Sequence, residues 1–223
     1  MNNLTPQQIK ELFFKEKFLV LSRTMPTEKL GNVAKALVKG GVKLMEITID
    51  QLADDPAAVI KEAMQTVRDA VGDQLCLGCG TVLNCQQLQW AYDAGAKFYL
   101  SPNFKADVVK MAKKLGMVAI PGAMTPSEIV DAWDAGADIV KLFPADDLGY
   151  HYIWNIRGPL PHIPLLASGG VNPDTIPKFL EKGVVAVGTG MSVINRDLVN
   201  ADDYDAIAEL ARKHVEVIAS FCN

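Results

Sequence analysis

Four stretches of the chain repeat one arrangement: AKALVKGGVKLMEITI, AYDAGAKFYLSP, AWDAGADIVKLFP and FLEKGVVAVGTG. In each, an amphipathic helical stretch stops at a glycine, and a short run of strand-forming residues begins a residue or two later. Glycine just past a helix supplies the left-handed residue that ends it, and the run that follows has the period and residue types of a strand. Two copies, Asp93 to Ala96 and Asp134 to Ala137, are the same tetrapeptide, DAGA. Extended along the chain, the unit predicts eight strands, near 17–23, 43–49, 75–80, 97–101, 117–120, 138–143, 164–168 and 184–188. Helices fall between them, with an extra one near 5–14 and a last one near 202–220. TPSE from Thr125 carries a capping-box pattern, and NPDT from Asn172 places Pro173 at a first helical position. Strands that alternate with helices pair in parallel through right-handed crossovers. The expected fold is therefore a (β/α)8 TIM barrel with an extra N-terminal helix, with a doubly wound open sheet as the alternative.

The 223 residues suit a single barrel domain, 1–223. Hydrophobic residues at 49% and charged residues at 22% fit a soluble globular protein and exclude a disordered or fibrous chain. No apolar run reaches bilayer length, and the start, MNNLTPQQIKELFFKEKF, has acidic residues and no signal-peptide pattern, so no membrane association and a cytoplasmic location are expected. The net charge of −4, with no block of lysine or arginine, argues against a nucleic-acid surface. A small anionic substrate would need only one local positive site. Of the four cysteines, Cys76 and Cys79 form a C-x-x-C, but residues three apart on a strand point to opposite faces, which speaks against a metal or redox pair. His151, His162 and His214 lack zinc-ligand spacing. Neither a metal nor a cofactor is expected.

The DIVKLF segment puts Lys141 inside a strand that otherwise reads as buried. A buried ammonium is costly, so such a lysine snorkels to water, pairs with a carboxylate, or gives up its proton and becomes a nucleophile. In barrels of this kind the active site lies at the C-terminal ends of the strands, and Lys141 is near the end of the sixth. On the second strand, Glu46, Thr48 and Asp50 alternate with Met45, Ile47 and Ile49, so the polar set faces the barrel interior, where Glu46 can meet Lys141. GCGTV offers the Thr81 hydroxyl after the third strand, and LSPN and IPGAMT form small-residue rims after the fourth and fifth. Ser168, Gly169 and Gly170 follow the seventh strand, and Gly188, Thr189 and Gly190 the eighth, where barrels often hold a phosphate on backbone amides. A desolvated lysine can attack a substrate carbonyl and form a Schiff base that acts as an electron sink for an adjacent C–C bond, with Glu46 moving protons. Together these residues suggest aldolase chemistry without a metal.

With these residues in view, the sequence resembles the 2-keto-3-deoxy-6-phosphogluconate / 4-hydroxy-2-oxoglutarate (KDPG/KHG) aldolase family. The matching motifs are ALVKGGVKLMEIT, GCGTVLN followed by QQL, AGAKFYLSP, IPGAMTPSE, VKLFPA and SGGVNPD, in family order over nearly the whole chain. The resemblance implies a class I aldolase on a (β/α)8 barrel, usually a homotrimer, that cleaves a 2-keto-3-deoxy-6-phospho sugar acid to pyruvate and an aldehyde such as glyceraldehyde 3-phosphate. It implies Lys141 as the Schiff-base lysine, Glu46 as the acid/base group, and Thr81 as a holder of the pyruvyl carboxylate. It also implies phosphate contacts from Ser168, Gly169, Gly170, Gly188 and Thr189, with Pro102 and Phe143, inside matching motifs, as further substrate contacts. Where family members often read EVTLRT, with an arginine that binds the substrate carboxylate, this chain reads EITIDQ and places Asp50 there. A carboxylate at that place repels an anion, and Arg23, in VLSR, is the candidate replacement. Competing readings are an aldolase for 4-hydroxy-2-oxoglutarate or another unphosphorylated keto acid, a phosphate-binding barrel without aldolase activity, and a phosphosugar isomerase or epimerase on the same barrel.

Overall fold

The computed structural model describes Met1 and residues 3–23 and 25–222, the last of these by its backbone only. The order of elements is α1 (Pro6–Glu16), β1 (Phe18–Leu21), α2 (Thr27–Lys39), β2 (Leu44–Thr48), α3 (Pro56–Val71), β3 (Cys76–Gly80), α4 (Cys85–Asp93), β4 (Phe98–Leu100), α5 (Ala106–Lys114) and β5 (Val118–Ile120). Then come β6 (Gly122–Ala123), α6 (Pro126–Asp134), β7 (Val140–Leu142), α7 (Ala145–Arg157), β8 (Leu165–Ser168), α8 (Ile176–Glu181), β9 (Ala186–Thr189), α9 (Arg196–Asn200) and α10 (Tyr204–Cys222). Every expected strand is present within two residues of its expected bounds. The repeated DAGA turns behave as their composition requires, with Gly95 and Gly136 at φ 87° and 104°, a left-handed conformation that a side chain would strain.

The nine strands are parallel, in the order β5-β4-β3-β2-β1-β9-β8-β7-β6. β5 and β6 are two halves of one strand interrupted at Pro121, which has no N–H for the ladder. Across that interruption the backbone N–H groups of Asp138, Lys141 and Phe143 donate to the carbonyls of Ala119 (2.9 Å), Pro121 (2.8 Å) and Ala123 (3.1 Å), which closes the ring between β4 and β7. The fold is the expected eight-stranded barrel, and this closure removes the open-sheet alternative.

Alternation along the strands sorts side chains into two cores. Leu19, Leu44, Cys76, Phe98, Val118, Ile120 and Leu166 fill the barrel interior, while Met45, Ile47, Cys79, Tyr99 and Val187 pack against the helices. Cys76 and Cys79 thus lie on opposite sides of the sheet, as their spacing requires, and burial pushes both thiols up, Cys76 to about 12. Helix α1 plugs the start of the strands. Its Ile9 and Phe13 enter the inner core, and the Phe13 ring meets Phe98 edge-on at 5.0 Å. A capping box between Thr5 and Gln8 starts this helix, and left-handed Lys17 (φ 55°) ends it directly before β1.

The capping box at Thr125 is formed as well, with the Glu128 carboxylate accepting from the Thr125 N–H at 2.8 Å. The expectation at NPDT is corrected. Residues 172–175 form a turn because the Asn172 side chain accepts from the N–H groups of Asp174 (2.9 Å) and Thr175 (3.2 Å), and α8 starts only at Ile176. No helix among the described residues is long and apolar enough to cross a membrane.

Candidate active site

β2 brings Glu46 into the upper barrel, where it is 3% exposed. Opposite it, β3 carries glycine at both inward positions above Cys76. A Cβ on Gly78 would meet the Phe98 ring at 2.1 Å, and one on Gly80 would sit 1.4 Å from Glu46 Oε1. The GCG motif is therefore the space into which a ring and a carboxyl group fit. The Thr48 hydroxyl, two residues along the same face, donates to the Glu46 carboxylate at 2.9 Å. Burial pushes the Glu46 carboxyl up, against the opposing effects of the Thr48 hydrogen bond and of the Lys141 and Arg23 charges.

Lys141 sits on β7, 9% exposed, paired across the sheet with Gly122 and Leu166. Its Nζ lies 4.7 Å from the centroid of the Phe143 ring. The amine itself has no hydrogen-bond partner and no ion pair among the described residues. Glu46 and Lys141 share the barrel lumen without closing a salt bridge. Burial lowers the lysine to about 8, the Glu46 charge opposes this, and the Arg23 charge adds to it. Of the three sequence explanations for this lysine, snorkelling and ion pairing do not describe the geometry, and an amine that gives up its proton more readily than usual does.

Arg23 and Thr81 line the same narrow pocket as Lys141, Glu46, Thr48 and Gly80. Both are non-glycine residues in the left-handed region, at φ 55° and 57°. Such backbone costs about 1–3 kcal/mol per residue and persists where the surroundings enforce it. At Arg23 the enforcing group is Ser22, whose hydroxyl accepts from the Thr48 N–H at 3.1 Å and donates to the Arg23 carbonyl at 2.9 Å. At Thr81 it is a glutamine pair: Gln51 donates to the Thr81 carbonyl at 2.9 Å and accepts from Gln87 at 2.7 Å. The parts played by Ser22, Gly80, Gln51 and Gln87 are not legible in the sequence, because each acts through a cross-strand or cross-loop contact that needs the register to be known.

The remaining expected residues divide. Phe143 flanks the Lys141 amine. Pro102 is half-buried with its backbone against Gly122, where a Cβ would come within 2.4 Å of it, and it does not line the catalytic pocket. Asp50 lies beyond the end of β2, and its carboxylate accepts from the Leu52 N–H at 2.9 Å, in a separate recess shared with Ser22 and Arg23. It is turned toward its own loop. Ser168 and Gly188 face one another inside the barrel, the Ser168 hydroxyl 3.9 Å from where a Gly188 Cβ would be. Gly169 and Gly170 have φ of 110° and 64° and pack against Asp146 at the start of α7.

Thr189 points outward, in the same sense as Val187. Its hydroxyl is 2.9 Å from the Val171 carbonyl and 2.8 Å from the Ser192 hydroxyl, which is in turn 2.9 Å from His214 Nε2. His214 is fully buried, stacked on Phe18, and its Nδ1 lies 2.7 Å from the Leu210 carbonyl. This side-chain chain ties the β8 and β9 loops to α10 and holds the Thr189 hydroxyl on the outer side of its strand. No group of three or more His, Cys, Asp or Glu side chains among the described residues is placed to hold a metal.

The family model described as KDPG and KHG aldolase matches residues 9–210. The chain belongs to the KDPG and KHG aldolase family. The KHG/KDPG aldolase of Escherichia coli (strain K12) is 35% identical over 188 residues, which cover 82% of this chain and 84% of that relative. The 2-dehydro-3-deoxy-phosphogluconate aldolase of Pseudoalteromonas atlantica is 35% identical over 184 residues, 82% of each. Among solved structures, the KDPG aldolase of Legionella pneumophila, with pyruvate captured as a covalent carbinolamine, superposes with a TM-score of 0.80 at 23% identity, over 91% of this chain and 96% of that one. That likeness supports the barrel. The sequence relatives and the family model carry the family.

Proposed function

We propose that this KDPG/KHG-family chain is a metal-independent class I aldolase, a carbon–carbon lyase that splits a 2-keto-3-deoxy-6-phospho sugar acid into pyruvate and glyceraldehyde 3-phosphate. The observation that carries the reading is a buried, unpaired Lys141 amine lowered to about 8, in one pocket with a Glu46 carboxyl raised by burial. The neutral amine attacks the C2 carbonyl of the keto acid, and the carbinolamine loses water to give an iminium. Glu46 removes the C4 hydroxyl proton, the C3–C4 bond breaks, and its electron pair passes into the enamine while the aldehyde departs. Protonation of the enamine at C3 and hydrolysis of the resulting iminium release pyruvate and regenerate the amine. Thr81 and Arg23 hold the pyruvyl carboxylate. The backbone of Ser168–Gly170 and Gly188–Gly190 receives the phosphate, with Thr189 fastening the second of these loops from behind. The captured pyruvate of the Legionella pneumophila relative is the covalent step expected here.

The phosphorylated substrate is tested by comparing kcat/KM for the sugar acid with and without its phosphate and for 4-hydroxy-2-oxoglutarate. A preference of about tenfold or more for the phosphorylated acid is expected, the contribution of a few charge-assisted hydrogen bonds. Equal or reversed preference rejects it. The homotrimer implied by family resemblance belongs to the same proposal. Exposed Leu52 and Trp154 are apolar surface that such an assembly can cover, and light scattering on the purified protein decides it.

A further inference from the structure

Beside the catalytic pocket, on the same face of the barrel, lies a cavity of about 690 Å³ between the loop after β1 and the segment that follows β9. This is within the range of small-molecule sites, roughly 300–1,000 Å³. Its walls include Met25 and Pro26 from the first loop and Met191 and Ile194 from the second, and one arginine enters from each side, Arg23 and Arg196. No aspartate or glutamate lines it. Neither guanidinium has a hydrogen-bonding or ion-pair partner for its side chain among the described residues. The nearby Asp202 is engaged with Lys29 at 2.8 Å, and the same lysine donates to the Val199 carbonyl on the cavity wall. The cavity opens onto the chemistry through Arg23, which also lines the Lys141 pocket. It reaches the β9 loop through Gly190, where a Cβ would come within 3.1 Å of Arg23 Cγ.

Two exposed, unpartnered guanidiniums line one apolar-walled cavity in a chain of net charge −4, and Arg23 also lines the Lys141 pocket, so the pair suits a substrate with an anion at each end. We infer that Arg196 is a specificity-determining residue: beside the Gly188–Gly190 turn it takes the anionic end of the aldehyde half of the substrate, a phosphate monoester or a carboxylate, while Arg23 stays with the pyruvyl carboxylate. The inference rests on the aldolase reading for the identity of the ligand, though the anion site itself does not need turnover. Arg196 lies well outside the KDPG/KHG motifs recognised in the sequence. It reaches the site only because α9 folds back toward the loop after β1.

The test compares wild type, Arg196→Ala, Arg196→Glu and, as a control of equal charge change, Arg212→Ala on the far surface of α10. In the condensation direction with pyruvate, kcat/KM is measured for glyceraldehyde 3-phosphate, for glyoxylate and for neutral glyceraldehyde. Loss of a charge-assisted contact corresponds to about a 10- to 100-fold fall in the ratio of anionic to neutral acceptor. Arg196→Ala is expected to show that fall, Arg196→Glu a larger one and Arg212→Ala none. Whichever anionic acceptor loses more tells phosphate from carboxylate as the natural terminus. An unchanged ratio, or an equal loss for the neutral acceptor, overturns the inference. Calorimetry of inorganic phosphate and of malonate with the same proteins is read independently of catalysis, and equal binding by wild type and Arg196→Ala also overturns it. If wild type forms no borohydride-trapped pyruvate adduct, the aldolase reading fails, and the anion site is then decided by calorimetry alone.

Discussion

A lysine amine is a nucleophile only without its proton, and burial at the end of β7 brings Lys141 to about 8. The rate of pyruvate adduct formation should therefore rise with pH through about 8 and level off above it; a profile flat from pH 6 to 10 contradicts this. The same shift has a stability consequence. The folded-state value lies below the ordinary 10.5, so the unfolded chain binds more protons between about 8 and 10.5, and stability rises with pH across that window. Below it the buried ammonium is a net cost. Lys141→Met, which keeps the volume and removes the charge, should raise the urea midpoint at pH 7, by roughly 1–3 kcal/mol of stability, while abolishing the reaction. Glu46 depends on a residue with no side chain. An added methyl at Gly80 would lie 1.4 Å from its Oε1, so Gly80→Ala must displace the carboxyl. Its kcat should fall by about 100-fold or more, the loss of a general acid/base group, with Lys141 still trapped by pyruvate and borohydride. A fully active Gly80→Ala variant would mean that the position of Glu46 is unimportant.

At the scale of elements, the barrel separates stability from chemistry along its axis. Helix α1 closes the start of the strands with Ile9 and Phe13, whereas Glu46, Thr81 and Lys141 stand toward their ends. Phe13→Ala removes a fully buried ring that meets Phe98 edge-on, and about 3–5 kcal/mol of stability should go with it in urea denaturation, with kcat/KM of the folded enzyme held within about twofold. A loss of activity at low temperature without loss of stability would show that the two ends are coupled. Thr125→Ala, at the capping box of α6, belongs with it on a smaller scale, about 1 kcal/mol. The capping box could be read from TPSE because its partners are three residues apart. NPDT misled because the Asn172 side chain competes for the backbone that Pro173 was expected to lead into a helix.

Across the whole molecule, what could be read from sequence was whatever repeats or alternates. The DAGA turns give helix ends and strand starts, the Glu46–Thr48 alternation gives the inward face of β2, and the spacing of Cys76 and Cys79 puts them on opposite sides of the sheet. Lys141 stood out because a charge in a buried strand needs a reason. What stayed hidden depends on distance in space. Closure through the interrupted strand at Pro121 needs both β4 and β7, the role of Gly80 needs the β2–β3 register, and the placing of Arg23 and Arg196 on one cavity needs the first and last strands brought side by side. The turn Gly188–Gly190 is expected to meet an anion through its backbone amides, and strand alternation turns the Thr189 hydroxyl outward to Val171 and Ser192, a contact that only the fold reveals. Asp50, the residue that departs from the family pattern, accepts from its own loop, while Arg23 lines the pocket that holds Lys141. The central claim is that a neutral Lys141 attacks a keto acid. Borohydride reduction in the presence of pyruvate, followed by intact-mass measurement and peptide mapping, tests it directly. The account predicts one reduced pyruvyl adduct per chain, located on Lys141 and absent from Lys141→Met; no adduct on wild type, or an adduct that persists in Lys141→Met, would contradict it.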